Sequence, residues 1–192
     1  MNVMEWLRFY LVAGMVSHKV VWEVMRRSQD RTRQSQHVCS LRLTLIKAGK
    51  VSVFIGILAQ TLIPTVLPIT DEPTALRIGG AILFTGGLVT AVLGRIQLGR
   101  NWSDIETSLA LPNHVVISRG LYRYMRHPIY TGDLALLFGL ELCLNSWLVL
   151  GVAALAAIVL RQVIFEERML LASLPGYDLY SQRTKRFIPF VV

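Results

Sequence analysis

The heptapeptide Arg126-His127-Pro128-Ile129-Tyr130-Thr131-Gly132 opens a long apolar segment, and the pair Glu166-Glu167 closes the next one. Pro128 suits the first turn of a helix, where its missing N–H is not needed, so His127 falls at or just before the helix start. The N–H groups of that first turn, together with the helix dipole, form a ready anion site. Arg123 and Arg126 add full positive charge beside it. Arg126, Tyr130, Asp133, Leu137 and Glu141 recur at steps of three and four residues and therefore share a face. Carboxylates on a face that also carries Arg and Tyr should look into protein rather than lipid, where such groups usually mark function. For Arg126 and Asp133, a structural ion pair explains the spacing as well as a ligand role does.

The turn Leu144-Asn145-Ser146 is too short for anything but a helical hairpin. The segments on either side are then antiparallel neighbours, and Glu166 and Glu167 return to the level of His127 and Tyr130. Adjacent carboxylates at a helix C-terminus are unfavourable because the dipole there is already negative. A cationic ligand would offset them, and so would Arg161 and Arg168. The chain continues through Pro175-Gly176-Tyr177-Asp178-Leu179-Tyr180 to Lys185-Arg186-Phe187-Ile188-Pro189-Phe190. This basic, amphipathic tail suits either a membrane surface or a lid in which Tyr177 and Tyr180 stack on an aromatic ligand.

The elements that must position these groups are apolar and long. Of 192 residues, 53% are hydrophobic and 17% charged, which is too little charge and too much unbroken apolar sequence for a soluble domain. Spans are expected at roughly 4–22, 50–69, 76–98, 128–145 and 147–165. The first, interrupted by Arg8, His18 and Lys19, reads as a span with snorkelling ends or as an amphipathic surface helix. Seven Lys or Arg lie between Arg26 and Lys50, five between Arg95 and Arg126, and five between Arg161 and Arg186. The connections 70–75 and 143–147 carry none, so the basic loops and the tail face the cytoplasm. That distribution, rather than nucleic-acid binding, explains the formal charge of +8. The fold class expected is all-α: an integral membrane bundle of about five helices, one domain over 1–192, with a short cytoplasmic helical tail.

Pro64 and Pro68 are expected to kink or end the second span. The third carries Gly80, Gly87 and Gly94 at sevenfold spacing, a stripe that suits close helix packing. Trp102 reads as an interfacial anchor, and Asn101 as a ligand group or a turn cap. No GxGxxG loop joins a strand to a helix, so no Rossmann nucleotide site is expected. Cys39 and Cys143 are assigned to opposite sides of the membrane and form neither a disulfide framework nor a metal site.

Several of these motifs, taken together, resemble the isoprenylcysteine carboxyl methyltransferases and the related bacterial phospholipid N-methyltransferases. The resemblance rests on Leu98-Gly99-Arg100-Asn101-Trp102-Ser103, on Gly120-Leu121-Tyr122 leading to Arg126–Gly132, on Glu166-Glu167, and on Tyr177, Tyr180 and Arg186-Phe187-Ile188-Pro189. It covers about the C-terminal half; the first ~90 residues match in hydropathy alone. It implies a five-span fold without a Rossmann domain and S-adenosylmethionine as cofactor. It also implies that His127, Pro128, Tyr130, Glu166, Glu167, Tyr177, Tyr180 and Arg186 line the cofactor site, with Arg126, His127 and Glu167 in catalysis. Arg126 is then the first candidate to orient an acceptor carboxylate, and Arg186 or Arg161 the next. The acceptor implied is an isoprenylcysteine or another small isoprenoid or lipid entering sideways from the bilayer of a prokaryotic cell. An amine acceptor of the phosphatidylethanolamine type stays open, with His127 or a glutamate taking the proton. Sterol-type reductases, which use NADPH, share a similar C-terminal pattern but normally need a larger bundle. A small transporter would explain Asp133 and Glu141 but leave the clustering at 126–130 and 166–167 without cause.

Overall fold

A computed structural model describes residues 2–30, 41–63, 66–102 and 115–188. Six α-helices occur among them: α1 (Val3–Asp30), α2 (Leu41–Leu62), α3 (Thr74–Leu98), α4 (Pro128–Cys143), α5 (Val149–Ser173) and α6 (Tyr177–Arg183). The expectation of an all-helical membrane fold is met. Two of the helices, α3 and α5, are long and apolar enough to cross a bilayer by length and composition alone. The chain divides into two compact units, Met1–Pro68 and Ile69–Val192.

In the first unit both helices depart from the edges that hydropathy suggests: α1 runs past residue 22, and α2 starts before residue 50 and ends short of 69. α1 continues past residue 22 because Glu23 supports its last turns, bonding Arg26 at 2.9 Å and Arg27 at 2.7 Å across helical spacings. The stretch from Arg26 thus stays helical as far as Asp30, and residues 31–40, with Cys39, lie outside the described residues. α2 begins well before residue 50 and stops at Leu62, two residues ahead of Pro64, as the steric demand of proline on its predecessor requires.

The second unit is built on α3 and α4, which run antiparallel with almost nothing between them. A Cβ added at Gly80 would lie 2.7 Å from the backbone N of Cys143. One at Gly94 would meet Ile129 and Pro128 at 3.2–3.3 Å. Added at Gly87, it would collide with the backbone of Leu136 and the carbonyl of Gly132. Gly132 and Gly139 answer from α4 against Ala91 and Phe84. The sevenfold stripe is therefore a packing surface, closed by glycines from both helices, in the manner of small-residue contacts in membranes. Gly79 and Gly86, one residue off the stripe, face open space.

The far end of the α4–α5 hairpin is fastened by Asn145. Its φ is +54°, a left-handed conformation that Asn tolerates better than most residues. Its side-chain oxygen accepts the N–H groups of Ile69 and Thr70 at 3.2 Å each, and its amide donates to the Thr70 carbonyl at 2.7 Å. Asn145 is buried, so Asn145→Ala takes the side-chain partner from the half-buried backbone groups of Thr70 and strains φ. A loss of about 2–4 kcal/mol is expected, read as a lowered unfolding midpoint in detergent. An unchanged midpoint would show that the clasp contributes nothing.

Candidate active site

At the other end of the hairpin, α4 starts where the sequence predicts. Pro128 occupies its first turn and is fully buried, and His127 stands at the N-cap with no side-chain cap bond. The His127 carbonyl accepts both the N–H and the hydroxyl of Thr131 at 3.0 Å. The residues just before the helix are held by the tail. Lys185 N donates to the Tyr124 carbonyl (3.3 Å), Arg126 N to that of Lys185 (2.7 Å), and His127 N to that of Arg186 (3.0 Å). This short parallel pairing includes a β-bridge between Met125 and Lys185. The Thr131 hydroxyl also lies 3.2 Å from the Phe187 carbonyl, so the tail continues across the mouth of α4.

The hairpin geometry returns Glu166 and Glu167 to this level. Glu167, buried, is the hub. Its Oε1 accepts from Arg126 Nε at 2.7 Å and lies 3.2 Å from His127 Nε2, and its Oε2 accepts from Arg186 Nε at 2.8 Å. The Arg126 Nη1 donates to the carbonyls of Ser181 (2.6 Å) and Thr184. Glu166, partly accessible, accepts from the Tyr130 hydroxyl at 3.1 Å. Tyr177 is buried, and its ring tilts against that of Tyr180 with centroids 5.7 Å apart. Arg126, His127, Pro128, Tyr130, Glu166, Glu167, Tyr177, Tyr180 and Arg186 thus gather at one end of the second unit.

Burial pushes the Tyr180 phenol up to about 12 and raises that of Tyr177 as well. Both stay protonated at neutral pH, so they serve as donors and apolar surface rather than as bases. The Tyr180 hydroxyl donates to the Tyr122 carbonyl at 2.7 Å. Tyr180→Phe should cost about 1 kcal/mol and speed amide hydrogen exchange in α6. Unaltered exchange there would deny the hydroxyl any anchoring role.

Several expectations need correction. Arg126 pairs with Glu167 on the neighbouring helix, a partner that spacing along its own helix did not offer. The glutamates do not end α5, which runs on to Ser173, so the helix terminus exerts little of the repulsion expected there. The cations beside Glu167 are Arg126 and Arg186, while Arg161 and Arg168 are exposed. Arg123 points away as well, exposed, with its guanidinium 5.8 Å from the Tyr124 ring. Glu141 lies three helical turns beyond Tyr130, about 16 Å along α4, outside the cluster.

Sequence reasoning missed Arg95. It is fully buried on α3, its guanidinium 4.2 Å from the Trp102 ring centre, and Nη1 donates to the Gly99 carbonyl at 3.2 Å. Trp102 is thus a platform for a buried cation. The available signal was an arginine inside the last turn of an apolar span, which the charge distribution had assigned to the loop. Gln97 was missed too: its Oε1 accepts the Leu121 N–H at 2.7 Å, against Gly120 with φ +60°. Asn101 accepts the Val115 N–H at 3.0 Å through its side-chain oxygen.

Comparison with known proteins adds three findings. The family model described as phospholipid methyltransferase matches residues 75–174, which hold α3, α4, α5 and both glutamates. A curated protein of Cupriavidus metallidurans, the cobalt-zinc-cadmium resistance protein CzcN, is 30% identical over 110 residues, 56% of this chain. The chain spans half the length of that relative. Among solved structures, the eukaryotic intramembrane Ras methyltransferase ICMT (isoprenylcysteine carboxyl methyltransferase) superposes with a TM-score of 0.60 at 21% identity, over 96% of this chain and 68% of that one. At that identity the likeness establishes the fold.

Proposed function

The chain belongs to the phospholipid methyltransferase family, and from that premise we propose that it is an S-adenosylmethionine-dependent membrane methyltransferase. Its acceptor in this reading is the carboxylate of an isoprenylcysteine or a similar isoprenoid or lipid, entering from the bilayer. The site faces the cytoplasm of a prokaryotic cell, the side that the distribution of Lys and Arg favours.

The donor set suits S-adenosylmethionine, which combines a sulfonium, an ammonium, a carboxylate and an adenine. Glu166, still partly accessible, offers a carboxylate to a cationic or hydroxylic group. The uncapped start of α4 at His127 and Pro128 suits an anionic one. Tyr130, Tyr177 and Tyr180 supply aromatic surface. When bound, the cofactor supplies a methyl group activated by positive charge on sulfur.

One observation carries the choice of acceptor. Arg126 spends Nε on Glu167 and Nη1 on two carbonyls, and its Nη2 has no protein partner among the described residues. A guanidinium fixed on two sides with one amino group spare suits a group that holds an anionic oxygen in line. A carboxylate, with an unperturbed pKa near ~3.5, is already ionised and needs no base. Glu167, which has two arginines and His127 around it, is poorly placed to take a proton. Alignment and exclusion of water then provide much of the rate.

The description of the family favours the second reading, methylation of a phospholipid amine, in which His127 or Glu166 would accept the proton. Labelled methyl transfer separates the two. The purified protein is offered an S-prenylated N-acetylcysteine and phosphatidylethanolamine vesicles, and the products are treated with base. Label released as methanol is expected, because esters hydrolyse. Base-stable label in phosphatidylethanolamine would overturn the carboxylate reading in favour of the amine. Saturable NADPH binding with no response to S-adenosylhomocysteine would overturn both.

A further inference from the structure

We infer that Arg186 is a positioning residue: by holding Glu167 Oε2, it keeps the spare amino group of Arg126 open for the acceptor. This deepens the carboxylate reading of the same site. Arginine and carboxylate prefer a forked, two-point contact, with Nε and one Nη each meeting one oxygen. Arg126 and Glu167 do not form it. Oε1 takes Arg126 Nε at 2.7 Å, while Oε2 is turned to Arg186 Nε at 2.8 Å. Nη1, on the side of the guanidinium away from Nε–H, is held by the carbonyls of Ser181 and Thr184. The atom left over is Nη2, on a side chain only 10% exposed.

Arg186 is set in place by the tail itself. Its carbonyl accepts the His127 N–H, its neighbour Lys185 pairs on both sides with Tyr124 and Arg126, and the next carbonyl, of Phe187, lies 3.2 Å from the Thr131 hydroxyl. Docking the tail therefore does two things at once. It supplies the carbonyls that immobilise Arg126 Nη1, and it supplies the cation that draws Oε2 aside. Without that cation, Glu167 is free to rotate onto Arg126 and consume Nη2 in the forked pair. The anion-orienting group is then lost although every residue of the hairpin is intact.

The test compares wild type with Arg186→Ala, Arg186→Met and Arg186→Lys in detergent. Isothermal titration gives the affinity for S-adenosylhomocysteine. In its presence, titrations with an S-prenylated N-acetylcysteine and with its carboxamide give the preference for the charged acceptor. Arg186→Ala and Arg186→Met should lower that preference roughly 10- to 100-fold, the worth of one hydrogen bond to a charged group. Each acceptor titration is run at saturating S-adenosylhomocysteine, so the preference is read apart from any change in affinity for that compound. Arg186→Lys, which still places a cation at Oε2, should restore most of the preference. Met retains the apolar stem, so it serves if Ala does not fold. The inference is overturned if the preference is unchanged, if Arg186→Lys restores none of it, or if wild type itself does not distinguish acid from amide. Catalytic turnover on the prenylated acid is scored separately. Its absence with the acid preference intact would sink the functional reading alone.

Discussion

Glu167→Ala should abolish methyl transfer and cost about 3–5 kcal/mol of stability, the usual penalty for removing one partner of a buried ion pair. The size follows from what remains. Arg126 is nearly buried and His127 more so, and the substitution takes the shared carboxylate from both and from Arg186. Water has little access to replace it. Glu167→Gln keeps the shape and an acceptor oxygen but loses the charge, and should fall between the two in stability. His127→Ala should remove activity at a smaller structural cost, since it leaves the two arginines paired. Thermal unfolding in detergent and transfer of labelled methyl together check all three. A Glu167→Ala variant as stable and as active as wild type would disprove the hub.

Gly87→Leu should be as damaging for a different reason. The added side chain must occupy space held by the backbone of α4 at Leu136 and Gly132, and no rotamer relieves a clash that begins at Cβ. Separating the helices would also break the contacts at Gly132 and Gly139, so a loss of about 3 kcal/mol or more is expected. Gly86→Leu is the matched control. It adds the same bulk one residue away, where nothing lies within 4 Å, and should leave the unfolding midpoint near wild type. Equal midpoints for the two variants would contradict the interlocked packing.

What was legible in the sequence was periodic or short-range. The glycine stripe announced a packed face because seven residues make two helical turns. Leu144-Asn145-Ser146 forced an antiparallel return, and that turn alone brought Glu166 and Glu167 to His127 and Tyr130. Edges were less legible, since hydropathy locates lipid contact and not the end of a helix. Hence α1 and α5 run past residues 22 and 165 through charged turns. Which side chain meets which across the hairpin was harder to read. Asp133, seven residues on, was one partner weighed for Arg126, while the contact to Glu167 spans forty-one residues. A lid was one reading of the tail, but its register against Tyr124–His127 is set by main-chain bonds, which side-chain types do not reveal.

The glycines between α3 and α4 carry a mechanical consequence as well. Where two helices touch main chain to main chain, there are no rotamers to reshuffle and no gap to squeeze, so the pair behaves as a single stiff plank. Any breathing of this unit must then be hinged elsewhere, along the more loosely joined seam with α5 and at the tail strapped across its end.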